Sequence, residues 1–173
     1  MRGALSCGPR ASDDVGSRAR TAVKLEGIYL IAAPRAIVWE LLNDPAVLAR
    51  AIPGCERLDA VGKDRFETVI KAGVGSIKGT YTGTVAIEDV RPLESYALRV
   101  DGKGTGGFVR GRGTVSLNDQ GAATELRIDG DAHVGGPVAA IGQRLLGSAS
   151  KMMLTEFFKA LDVEARKRVH SAS

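Results

Sequence analysis

Between Ile77 and Ile87 the chain alternates without a break: Ile77, Gly79, Tyr81, Gly83, Val85 and Ile87 against Lys78, Thr80, Thr82, Thr84 and Ala86. Strand side chains point to opposite faces in turn, so this stretch reads as a strand with one wet face and one apolar face interrupted by glycine. The pattern recurs in Gly111, Gly113, Val115 and Leu117. It returns in Leu126, Ile128, Gly130, Ala132 and Val134, set against Glu125, Arg127, Asp129, Asp131 and His133. Interiors pack close to crystal density, and large side chains do that filling. An apolar sheet face studded with glycine therefore either leaves room for another molecule or receives a close approach from a helix or bulge.

The flanking pattern supplies the rest of the architecture. Lys24 to Ile31 alternates as a first strand, with Leu25, Gly27, Tyr29 and Ile31 on one side. Pro34 suits a first helical position, and Ile37, Val38, Leu41 and Leu42 follow at helical spacing beside Trp39. Asp44-Pro45 is a second start signal, for a short helix through Ile52 that Pro53-Gly54 closes. From Cys55 to Gly136 strands succeed one another with short turns, which predicts an antiparallel meander of about six strands. Gly135-Gly136-Pro137 then opens a long helix to about Val169, with Val138, Ile141, Leu145, Ala149 and Met152 as its stripe, widened by Leu146 and Met153. Leu154, Phe157 and Leu161 drift off that stripe, and Phe158 lies further round. They either cap a cavity mouth, face a partner or membrane surface, or wrap the helix end further around the sheet. The economical way to bury these faces is an α+β domain in which an antiparallel sheet bends around the long helix.

Composition narrows the function classes. A chain of 173 residues suits one domain with a good core. The formal charge of +4 is mild, and half of it comes from residues 1–22, where four Arg face two Asp. The balanced remainder argues against nucleic-acid binding. Residues 1–22 lack periodicity and read as irregular; 23–169 form the domain and 170–173 a tail. No window approaches the roughly 18 apolar residues of a membrane span. Two cysteines, Cys7 and Cys55, make no disulfide framework, so a cytoplasmic location is expected.

Catalytic and metal chemistry finds little to stand on. Gly102, Gly104 and Gly107 spell G-x-G-x-x-G, but the next residues alternate like a strand, so a hairpin is the expected use rather than a phosphate cradle. Arg110 and Arg112 fall on the outward face. Cys55 has no histidine near it in sequence, and His133 and His170 have no partner at metal-ligand spacing. General acid–base chemistry would want carboxylates or His on the inward faces, and these are nearly free of them. We therefore expect no catalytic residues, no metal and no covalently held cofactor.

Several segments carry a family resemblance. Lys24-Leu25-Glu26-Gly27, Ala33-Pro34, Val38-Trp39, Leu42-Asn43-Asp44-Pro45 and Ile52-Pro53-Gly54-Cys55-Glu56 resemble the opening of the CoxG family of carbon monoxide dehydrogenase subunits. Gly75-Ser76-Ile77-Lys78-Gly79, Glu94-Ser95-Tyr96, the glycines after Gly102, Val134-Gly135-Gly136 and Leu145 to Phe158 continue the likeness, which spans residues 24 to about 161. The resemblance implies a helix-grip domain of the START and pollen-allergen-like (SRPBCC) superfamily, which also holds the polyketide cyclases. It implies an apolar cavity between sheet and C-terminal helix, and an accessory role beside a molybdenum hydroxylase of the carbon monoxide dehydrogenase type. That role is membrane recruitment of the enzyme or handling of a quinone acceptor.

Two departures shape the expectation. The chain reaches Ser173 without the hydrophobic anchor some relatives carry, which sets aside direct anchoring and leaves peripheral contact with the inner membrane face. Val23 stands where relatives start with Met, so a GTG start codon at Val23 is expected.

The ligand expected on these grounds is apolar, a quinone or other lipid. The residues expected to line its site are Trp39, Leu42, Ile77, Gly79, Tyr81, Gly83, Val85, Gly111, Gly113, Gly130, Leu145, Met152, Met153 and Phe157. The alternatives are an enzyme acting on a lipophilic substrate in the manner of the polyketide cyclases, and a docking module with no ligand.

Overall fold

The computed structural model describes residues 20–74 and 77–172. Seven strands form one open antiparallel sheet: β1 (Arg20–Ile31), β2 (Cys55–Gly62), β3 (Arg65–Val74), β4 (Ile77–Arg91), β5 (Ser95–Gly104), β6 (Gly107–Asp119) and β7 (Thr124–Gly135). Their spatial order is β1-β7-β6-β5-β4-β3-β2, so the meander runs from β2 to β7 and β1 closes on β7 as the far edge. Two short helices, α1 (Arg35–Leu42) and α2 (Pro45–Ala51), connect β1 to β2. A 3-10 segment, Pro137–Ile141, precedes the long helix α3 (Gln143–Ala172). This is the antiparallel sheet and long helix expected from the alternation and the short turns, and the helix-grip architecture that the resemblance implies.

Local chemistry explains the element boundaries. Asp44 caps α2 by accepting from the Ala46 N–H at 3.0 Å, and Pro45 occupies the first turn as expected. Pro34 sits at the N-cap of α1 rather than inside it, and its carbonyl accepts from the Val38 N–H at 3.1 Å. The G-x-G-x-x-G glycines belong to a hairpin: Gly104 pairs with Gly107 across a two-residue turn, and Gly107 has φ 130°. β1 begins at Arg20, four residues before the expected Lys24, because Arg20 to Val23 continue the register along β7. The extension expected over residues 1–22 therefore gives up three residues to the sheet; residues 1–19 lie outside the described residues, as does the Gly75-Ser76 part of the middle signature.

The largest correction concerns α3. The expected helix ran unbroken from Pro137, so its stripe carried the phase of Val138 and Ile141 forward to Leu145 and Met152. Gly142, at φ 102°, instead separates the 3-10 segment from the helix and resets the phase. The packed stripe is Leu146, Leu154, Phe158, Leu161 and Ala165, all buried except the half-buried Leu154. Leu145 and Met152 are 48% and 66% exposed, on the opposite side of the helix.

Two apolar clusters hold the layers together. The main core joins α1, α2 and the C-terminal half of α3 to one end of the sheet through Ile31, Val38, Leu41, Val47, Leu126 and Leu161. A smaller cluster of Val23, Val134, Val138 and Leu146 fastens the N-terminal end of α3 at the other end. Polar ties reinforce both. Ala32 N–H donates to Asp162 Oδ1 at 2.8 Å, and Gln143 Nε2 to the Ala22 carbonyl at 2.9 Å. Arg50 makes a two-point contact with Glu164 at 2.9 and 3.2 Å, joining α2 to α3.

That last pair has a pH consequence. The hydrogen bonds from Arg50 hold the Glu164 carboxyl below its ordinary range, aided by the charges of Arg50, Lys167 and Arg168 and opposed by partial burial. A lowered folded-state value gives stability that is complete above the ordinary carboxylate range and is lost as pH falls through that range and below. Arg50 is well exposed, so the effect is modest. We expect Glu164→Gln to lower Tm by about 1–3 °C at pH 7, with the gap to wild type closing below about pH 4. Thermal melts of both proteins across that range check it.

Candidate ligand cleft

The concave face of the sheet separates the two clusters. Its middle is built of apolar side chains that reach only partial burial: Leu25 on β1, Ile128 on β7, Leu98 and Val100 on β5, Val85 and Tyr81 on β4. Between them lie the glycines. Gly113 of β6 stands directly opposite Gly130 of β7, and Gly83 of β4 opposite Gly102 of β5. Each pair leaves a patch of bare backbone on the cleft floor.

The glycines answer to the neighbouring strand rather than to the helix. A Cβ at Gly130 would stand 2.5 Å from the Arg112 carbonyl oxygen and 2.6 Å from Gly113 Cα. One at Gly83 would stand 2.8 Å from the Asp101 oxygen. The backbones approach this closely because the sheet coils towards its concave side. Coiling thus requires glycine, and glycine in turn leaves the floor unfilled, so the two readings of the pattern are one geometry.

The roof shows the same openness. Gly147 lies on the packed side of α3, seven residues before Leu154 and eighteen before the fully buried Ala165, which places it over the sheet. Yet an added Cβ there meets nothing within 4 Å. Between the main core and the small cluster, the helix and the sheet are not in contact at this point.

Charge is confined to the other face. Arg99, Arg110, Arg112, Asp131 and His133 all project from the convex side, where they border a depression of about 320 Å³. A second, of about 460 Å³, lies by the β3–β4 hairpin among Lys71, Lys78, Gly79 and Thr105. Apart from the exposed Asp119 at the end of β6 and Asp89 at the β4 bulge, the described concave residues of the strands include no Asp, Glu, Lys, Arg or His. The remaining titratable groups are the phenols of Tyr29, Tyr81 and Tyr96 and the Cys55 thiol, which contacts the Arg57 carbonyl at 3.4 Å. Burial pushes the Tyr81 and Tyr96 phenols up, so both stay protonated. Among the described residues no group of His, Cys, Asp and Glu is arranged to hold a metal, and no helix is long and apolar enough to cross a membrane.

The expected lining residues separate into three sets. Gly83, Val85, Tyr81, Gly111, Gly113 and Gly130 share the concave floor, and Gly79 ends it beside Thr105. Trp39 and Phe157 stand at the deep end, Trp39 edge-on to Tyr96 at 5.7 Å and Phe157 edge-on to Phe158 at 4.9 Å. Leu42 is wholly inside the main core, so it supports the cleft without facing it. Leu145, Met152 and Met153 leave the cleft because of the helix phase reset; Met153, 38% exposed, lies on its flank. The Ile77 side chain lies outside the described residues. Two concave-side residues were not expected: Gly147 over the gap, and Tyr96, which packs in the main core beside Trp39. Gly147 was hidden by the wrong phase, while Tyr96 carried a legible signal in its alternation with Leu98 and Val100.

Comparison with known proteins agrees with this fold. The family model for the carbon monoxide dehydrogenase subunit CoxG matches residues 27–165. None of the curated proteins matches. A conserved protein from Geobacillus kaustophilus is 35% identical, with a TM-score of 0.79 over 82% of this chain and 94% of its own. The Zhui aromatase/cyclase from Streptomyces sp. R1128 is 20% identical with a TM-score of 0.67, covering 88% of this chain and 99% of its own. A START superfamily protein from Mycobacterium smegmatis is 14% identical with a TM-score of 0.65, covering 83% and 97%.

Proposed function

The chain belongs to the CoxG family of carbon monoxide dehydrogenase subunits, and from that premise we propose that it is a non-catalytic accessory protein that takes up a lipophilic molecule between sheet and helix. The observation that carries the reading is the gap under Gly147: an apolar, charge-free sheet face with an open space where the helix should press on it. Burial of apolar surface supplies the affinity. Covering a few hundred Å² at ~25 cal/mol per Å² leaves enough, after association costs, for micromolar binding.

The family supports a partner as well, a molybdenum hydroxylase of the carbon monoxide dehydrogenase type. A quinone in the cleft would serve it as electron acceptor; docking the enzyme beside the membrane is the other form of the same role. An enzyme of the cyclase kind would need an acid or base at the ligand, and the described concave face offers only phenols and a thiol there.

The test is to purify the full chain from a quinone-containing bacterial host and analyse its organic extract by lipid mass spectrometry. We expect a quinone or other lipid at close to one per protein. Protein that carries none, and takes none up when offered quinone, overturns the reading in favour of a docking module.

A further inference from the structure

Hydroxyl groups on the concave face are, with few exceptions, satisfied within the protein. Thr21 Oγ1 donates to the Ala139 carbonyl at 3.1 Å, Thr68 to Arg57 at 2.9 Å and Thr124 to Ala33 at 2.8 Å. Tyr29 and Tyr81 are only partly buried, so water reaches them. Tyr96 is the exception. It is 5% exposed, it projects from β5 into the concave side opposite Val115, and its hydroxyl has no hydrogen-bond partner among the described residues. A buried donor left without an acceptor opposes folding, and a phenylalanine would fill the same space without that penalty. Trp39 of α1, itself only half-buried, meets the Tyr96 ring edge-on at 5.7 Å and 72°, and its indole N–H has no acceptor among the described residues. A buried hydroxyl without a partner among the described residues and a half-buried indole therefore adjoin each other where the main core meets the otherwise apolar concave face.

We infer that Tyr96, assisted by Trp39, is the polar anchor of the cleft and selects lipophilic ligands that lead with a hydrogen-bond-accepting oxygen, such as a ring carbonyl. The inference rests on the proposed function and deepens it by naming the chemistry the ligand must carry. An acceptor satisfies the Tyr96 hydroxyl, whereas a pure hydrocarbon leaves it unpaired; the Trp39 N–H can only donate and so favours an acceptor as well. The preference arises because an accepting ligand pairs a hydroxyl that is otherwise buried unpaired.

The experiment compares 2,3-dimethyl-1,4-naphthoquinone with 2,3-dimethylnaphthalene, the same fused rings with and without two carbonyl oxygens. Binding to the full-length protein is followed by calorimetry and by the emission of Trp39, the only tryptophan. Wild type is expected to prefer the quinone by about tenfold. Tyr96→Phe should remove most of that preference, leave the affinity for the hydrocarbon unchanged, and leave the Tm of the empty protein equal or higher. Equal wild-type affinities for the two probes overturn this inference and leave the proposed function standing. Failure of both probes to bind wild type overturns the two together. A Tyr96→Phe protein that keeps the preference, or that melts lower while binding both probes as wild type does, shows the hydroxyl to be structural and overturns the inference.

Discussion

Gly130→Val should leave little folded protein. The substitution places a branched side chain where the Arg112 carbonyl oxygen and Gly113 Cα already stand 2.5 and 2.6 Å from the position of its first carbon. Both obstacles are backbone atoms of the neighbouring strand, so no rotamer change relieves the clash. Either β6 and β7 separate at the centre of the sheet or the coil of the sheet flattens and both apolar clusters lose their fit. Overpacking of side chains costs about 1–3 kcal/mol, and a backbone obstacle puts this case at about 3 kcal/mol or more. For a domain of this size that lowers Tm by roughly 6–12 °C or prevents folding. Gly102→Ala is the control: its Cβ meets only the Thr82 oxygen at 3.7 Å and Gly83 Cα at 3.8 Å, ordinary contacts. Thermal melts of the two proteins decide the matter, and equal stability would show that the glycines are not there for the coil of the sheet.

Gly147→Leu should empty the cleft without unfolding the domain. The side chain would enter the gap between α3 and the sheet, where nothing lies within 4 Å of its first carbon. It would occupy the space assigned to the ligand, with an expected loss of at least about 100-fold in affinity for the quinone probe, or roughly 2.7 kcal/mol. Gly147→Ala separates the helix from the cleft. Replacing a mid-helix glycine stabilises by about 1 kcal/mol, worth roughly 2–4 °C in Tm, and the small methyl group should leave binding within a few-fold of wild type. A Gly147→Leu protein that binds as wild type does would mean the ligand sits elsewhere.

Both predictions depend on features that differ in how far the residue order reveals them. The glycine alternation in β4, β6 and β7 was readable directly, because side-chain parity has a period of two within each strand. Glu88 of β4 faces Ala97 of β5, and Leu98 faces Gly113 of β6, as alternation and short turns require. The helix was less readable. One residue, Gly142 at φ 102°, breaks the phase between Ile141 and Leu145, and a wheel drawn through it turns Met152 inward when it faces out. Tyr96 shows a third limit. Its position on the concave face follows from alternation, but the absence of an acceptor for its hydroxyl among the described residues depends on what the other elements bring near.

By itself, the order of residues determined the elements, the sheet parity, the confinement of charge to the convex face and the family. These are local or periodic properties, each decided within a few residues by backbone sterics and by which side of a strand meets water. Tertiary structure decided where the helix rests, which glycines are demanded by the neighbouring strand, and which buried hydroxyl lacks a partner among the described residues. Those depend on the relative placement of residues more than a hundred positions apart, as with Ala22 and Gln143 or Ala32 and Asp162. That placement is set by the joint packing of two separate cores, which no single stretch of sequence encodes.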